Sequence, residues 1–92
     1  MSNGATDREL EASWHVRNLI EAEVTRARQK FPTWPADRVE AAAIVAEEAG
    51  EALKAALNLR PCDPHSVEAT VAEYERELIQ TAAMAIRALE GR

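Results

Sequence analysis

Two proline pairs, Pro32 with Pro35 and Pro61 with Pro64, constrain more than any other feature what this chain can fold into. Proline has no amide hydrogen and restricts the residue before it, so neither Phe31-Pro32-Thr33-Trp34-Pro35 nor Leu59-Arg60-Pro61-Cys62-Asp63-Pro64 can continue a helix. What lies between these breaks reads at helical period. Thr6 opens a first helix, with Glu9 at capping-box spacing and Asp7 favourable in the first turn, and Val16, Leu19, Ile20, Val24, Ala27 and Phe31 carry the period onward. Asp37, with Glu40 three residues later, is the cap expected for a second helix that runs to about Asn58, its apolar faces supplied by Ala41, Ile44, Val45, Ala52, Ala56 and Leu57. Asp63 followed by Pro64 resembles the cap and first-turn pair of a third, reaching about Glu90 with Val71, Tyr74, Leu78, Ala82, Ala85 and Leu89 as its stripe. The expectation is an all-α single domain over 1–92, three main helices in a bundle, with residues 1–5 as a polar tail.

Such a bundle has little to bury. A chain of 92 residues hides only about 60 to 65% of its unfolded surface, and 19 of its residues are alanines, which contribute little apolar area each. Oligomerisation is the natural remedy, so the bundle is expected to be completed by further copies as a homodimer or homotetramer. The formal charge of −5 and pI near 5.0, with no basic stripe, argue against a nucleic-acid polymer as partner. No apolar run approaches a membrane span and the first ten residues lack the features of a secretory signal, so a cytoplasmic protein is expected. Cys62 is alone and has no Cys or His partner at zinc-ligand spacing. His15 and His65 read as surface or packing residues.

The chemistry is expected from Glu40 to Asn58. Glu47, Glu48 and Glu51 fall within about one turn of a helix at roughly 100° per residue, so all three project from one side and repel. Lys54 is the one nearby cation on that helix, and a bound divalent cation would remove the repulsion, since hard cations take carboxylate oxygens. A run of glutamates is also what a solvated helix face looks like. Gly50 stands between Glu48 and Glu51, where a facing helix or a ligand would need close approach. On the third helix Glu73, Glu77 and Gln80 fall at i, i+4 and i+7. If the second and third helices pack antiparallel, Glu77 and Gln80 come opposite Glu48 and Glu51. Trp14 and Trp34 are either base-stacking platforms or core residues, and Lys30 stands where it could meet a phosphate.

The segment Glu47-Glu48-Ala49-Gly50-Glu51, followed by Glu77-Leu78-Ile79-Gln80, resembles the MazG-like members of the all-α nucleoside triphosphate pyrophosphohydrolase superfamily, whose signature is ExxE on one helix and ExxD on the next. The flanking Lys30-Phe31-Pro32-Thr33-Trp34-Pro35 and Ala82-Ala83-Met84-Ala85-Ile86-Arg87 also resemble a small subgroup of it, and the likeness covers roughly residues 14 to 90. The resemblance implies hydrolysis of a nucleoside triphosphate to the monophosphate and pyrophosphate, with Mg²⁺ as cofactor and Mn²⁺ as a possible substitute. Glu48, Glu51 and Glu77 would be metal ligands, and Glu47 matches the additional Glu that often precedes the pair; it is our choice of base. Gln80 stands where the family has Asp, and its neutral amide oxygen is a weaker ligand for a hard cation. Glu73 could compensate. Lys30, Trp34 and Lys54 are the candidate substrate contacts, and Arg17, Arg28 and Lys30 the candidates for neutralising the leaving pyrophosphate. The alternative is a non-catalytic nucleotide-binding or helical protein-interaction module of the same fold.

Overall fold

The computed structural model describes residues 6–59 and 67–92, and shows three helices, α1 (Asp7–Lys30), α2 (Arg38–Asn58) and α3 (Val67–Glu90), with no strand among the described residues. The expected starts of the first two are borne out at atomic detail. Thr6 Oγ1 accepts from the Glu9 amide at 3.2 Å, and Asp37 Oδ2 from the Glu40 amide at 3.1 Å, each satisfying one of the helix's orphan donors. α1 stops at Lys30, before Pro32, and α2 stops at Asn58. The expected Asp63-Pro64 cap, Cys62, His65 and the tail 1–5 lie outside the described residues.

α3 is the shared element: it packs against both α1 and α2, which make no close backbone approach to one another. The pairings fix directions. Ala41 and Val45 share a groove with Ala85 and Leu89, whereas Ala52 and Ala56 share one with Tyr74 and Leu78, so α2 and α3 run antiparallel, as expected. Leu19 and Ala22 lie with Ala72 and Ile79, and Ala27 with Arg87, so α1 runs parallel to α3. Two helices on one support, separated from each other, leave a cleft between them.

The buried residues are almost all small: Val24, Ala27, Ala41, Ala52, Ala55 and Ala83, with Ala83 at the centre of α3. Alanine faces let backbones approach closely but remove little area from water. Much larger groups remain outside, among them Trp14, Phe31, Val39, Leu53, Leu57 and Leu89. The chain is also spread out. Its radius of gyration is 15.7 Å, against about 12 Å expected for a compact domain of this length.

One charged side chain sits in this thin core. Arg87 donates from Nη2 to the Phe31 carbonyl at 2.7 Å and from Nη1 to the Ala27 carbonyl at 3.3 Å, so a cation from α3 closes the negative C-terminal end of α1. The Trp34 ring lies over the same guanidinium, with its centroid 4.9 Å away. The ring also meets Gly91, where a Cβ would come within 2.8 Å of Trp34 Cδ1, so this glycine permits the close approach. The Phe31–Pro35 connector is thereby locked onto the end of α3. Gly50 is different. Among the described residues nothing lies within 4 Å of where its Cβ would be, so none of their packing requires glycine there.

Candidate functional site

The buried face of α2 is a stripe of alanines at Ala41, Ala52 and Ala55, and Glu48 falls on the same line, seven residues after Ala41 and four before Ala52. It therefore turns toward α3 and is half-buried, while Glu47 and Glu51, about 100° and 60° around the helix, are exposed. α3 answers in register. Its buried axis, Ala83 and Arg87, continues toward the N-terminus through Gln80 and Glu77, both half-buried. Glu73, one turn further, is exposed.

Glu48, Glu77 and Gln80 meet at this seam. With its nitrogen inward, the Gln80 amide donates to Glu48 Oε2 at 3.1 Å and to Glu77 Oε2 at 3.3 Å, one hydrogen for each, while its outward oxygen faces donors. Burial pushes the Glu48 carboxyl above its ordinary value of 4.5, helped by the charge of Glu77, a hydrogen bond between the two carboxyls, and the charges of Glu47 and Glu51. Thr81 Oγ1 donates to the Glu77 carbonyl at 2.7 Å, pinning that turn of α3.

The donor set fits a hard cation in part. Among the described residues no three His, Cys, Asp or Glu side chains converge closely enough to hold one. Two carboxylates do converge, and turning the amide of Gln80 over would put its oxygen beside them. Mg²⁺ commonly takes one or two carboxylates and completes its shell with water and substrate phosphates, a requirement that Glu48 and Glu77 meet.

Glu48 and Gln80 also form one wall of the cleft between α1 and α2, a space of about 510 Å³. Arg76, Gln80 and Met84 of α3 lie along its floor, and Glu23, Arg26 and Lys30 along the α1 side. Arg26 forms an ion pair with Glu23, and Lys30 Nζ lies 5.4 Å from the centre of the Phe31 ring. A volume of this order suits a nucleotide-sized ligand.

Of the residues singled out from sequence, Glu48, Glu77, Gln80 and Lys30 are brought together around this cleft. Glu47 and Glu51 are near enough for their charges to act on Glu48. Lys54 is exposed on α2 and does not line the cleft. Trp34 lies elsewhere, against Arg87 and Gly91 beside a second, apolar groove of about 490 Å³. Trp14 and Arg17 are exposed on α1, and Arg28 is ion-paired with Glu90. Arg26 and Arg76 were not singled out from sequence, yet a signal existed. Arg26 precedes Lys30 by four residues and Arg76 precedes Gln80 by four, the spacing that stacks side chains on one helix face. No protein-family model, curated protein or solved structure matches this chain.

Proposed function

We propose that this protein is a Mg²⁺-dependent nucleoside triphosphate pyrophosphohydrolase, releasing a nucleoside monophosphate and pyrophosphate. One observation carries the reading: Glu48, half-buried against Glu77, lines a cleft that Arg26, Lys30 and Arg76 line as well. Acidic oxygens beside cations are what a metal-bridged polyphosphate needs, since the metal joins carboxylate to phosphate and the cations take the remaining phosphate charge. Glu48 and Glu77 would hold the ion, with the Gln80 oxygen or Glu51 beside them. When bound, Mg²⁺ supplies charge withdrawal from phosphate oxygens and a more acidic water. Glu47, exposed next to Glu48, is the carboxylate we assign to accept the water's proton as its oxygen adds to the α-phosphorus and pyrophosphate leaves. Lys30 and Arg76 would neutralise that leaving group.

The working species we propose is a homodimer or homotetramer. The support is the small core, the spread-out shape and the exposed side chains of Trp14, Val39, Leu53 and Leu89, which a second copy would cover. The Trp34 indole N–H, buried without a hydrogen-bond partner among the described residues beside the apolar groove, belongs to the same incomplete surface.

A second reading rests on Gln80. Its amide donates to both carboxyls and stands where an acidic ligand would serve hydrolysis, which suits a module that binds a nucleotide and does not hydrolyse it. A pyrophosphate-release screen over ribo- and deoxyribonucleoside triphosphates with Mg²⁺, run beside thermal unfolding with the same panel, separates the two. Release of pyrophosphate supports the hydrolase. A thermal shift without release supports the binding module, and neither signal removes the nucleotide reading altogether.

A further inference from the structure

The cleft between α1 and α2 gathers three cationic side chains on one space. On a chain of net charge −5, Arg26, Lys30 and Arg76 line one space of about 510 Å³, where the carboxylates among the described lining residues are Glu23 and Glu48. Both are partly spent. Glu23 is ion-paired with Arg26, and Glu48 accepts a hydrogen bond from Gln80 and shares another with Glu77. Lys30 and Arg76 have no ion-pair partner among the described residues.

We infer that Lys30 and Arg76, with Arg26 as a third arm, form a recognition site for a condensed phosphate chain of two or more phosphates that works without a metal ion. The inference rests on the reading of this cleft as a nucleotide site and adds which residues take the phosphates and what they require. Gln80 is the reason no metal is needed. Its two N–H groups donate one to Glu48 and one to Glu77, so both carboxyls already hold a hydrogen bond when an anion enters. Arg26 and Lys30 from α1 and Arg76 from α3 together line this nucleotide-sized space. They suit an anion extended across it, and the ligand class is a nucleoside di- or triphosphate or free polyphosphate. Arg26 is held back by Glu23, so breaking that pair should strengthen binding.

The test is isothermal titration of inorganic tripolyphosphate into the full chain in EDTA, repeated with a nucleoside triphosphate and with the bare nucleoside. Arg76→Gln and Lys30→Gln, both at exposed positions and checked for helix content, should each weaken binding about tenfold or more, the loss of one charge-assisted contact. Glu23→Gln should tighten it and Gln80→Glu should abolish it. Arg8→Gln removes the same unit of charge from an exposed position in the first turn of α1, and should leave binding unchanged. Equal affinity for tripolyphosphate and the nucleotide assigns recognition to the phosphate chain, and stronger binding of the nucleotide adds a base contact to it. Binding seen with Mg²⁺ but not in EDTA overturns this inference and leaves the hydrolase reading standing. An Arg8→Gln loss equal to that of Arg76→Gln overturns it as well, because the attraction would then be general. Binding in EDTA without pyrophosphate release in Mg²⁺ upholds the site and removes the hydrolase.

Discussion

Arg87 is expected to hold more of the fold than any other single side chain, and the structure says roughly how much. Substituting Arg87→Met keeps most of the apolar stem and removes the guanidinium. The contact to the Phe31 carbonyl, at 2.7 Å, is a full charge-assisted hydrogen bond, for which about 1.5 to 3 kcal/mol is usual. The contact to the Ala27 carbonyl, at 3.3 Å, is long, and that oxygen keeps the Phe31 amide at 2.8 Å, so its loss should cost less than about 1 kcal/mol. The stacking over Trp34 contributes about 1 kcal/mol more. Together the loss is about 2.5 to 5 kcal/mol, against the total of about 5 to 14 kcal/mol usual for a chain of this length. Urea unfolding followed by circular dichroism, at one protein concentration, measures it. In a Trp14→Phe background the emission reports Trp34 alone, and should change with Arg87→Met as the ring loses its cation. Arg87→Lys, which can reach one carbonyl, should fall between. A loss below about 1 kcal/mol with unchanged Trp34 emission would show that the guanidinium does not lock the connector, and the energetic argument would fail.

The remaining expectations concern the seam and its surroundings. Gly50→Ala should stabilise the isolated chain by about 0.5 to 1 kcal/mol, because the added methyl meets nothing and helix propensity improves; a destabilised variant in the same urea assay would mean another copy covers that face. Glu48 titrates above its ordinary value, so the folded state binds its proton more tightly than the unfolded state does, and that contribution is fully present below the unfolded pKa and lost as pH rises through the folded one. Glu48→Gln should therefore be more stable than the parent in metal-free neutral buffer, with the difference shrinking as pH falls toward 4.5; a difference independent of pH would contradict the assignment. Gln80→Asp removes both donated hydrogen bonds and sets a third carboxylate beside Glu48 and Glu77, so it should melt lower in EDTA and show a larger Mg²⁺-induced shift than the parent. Equal shifts for the two proteins would place Gln80 on the substrate rather than on the metal.

Local chemistry made the helix boundaries legible: Thr6 and Asp37 cap where their spacing to Glu9 and Glu40 says they should, and proline ends α1 where it must. The meeting of Glu48 with Glu77 and Gln80 followed from antiparallel packing and loop length. What could not be read was which of three neighbouring glutamates turns inward. Alanines at 41, 52 and 55 decide that, and they look alike on every face of a helix that carries alanine throughout, so the buried line shows only once α3 lies on it. Arg87 was hidden for the opposite reason. A charged residue at an otherwise small-residue position reads as surface until a helix end with free carbonyls is placed against it. Trp34 between two prolines read either as a platform for a base or as a core residue, and its ring lies over Arg87 and against Gly91. Gly50 suggested close approach where the chain itself leaves open space.

The most direct test of the account is a crystal structure of the protein with Mg²⁺ and a nucleoside triphosphate analogue whose α,β bridge is nitrogen, using the base that gives the largest thermal shift. The account predicts the phosphates in the cleft between α1 and α2, against Lys30 and Arg76, with the ion held by Glu48 and Glu77 and the Gln80 oxygen turned inward. Phosphates lodged elsewhere, with Gln80 still donating to both glutamates and no ion between them, would contradict it.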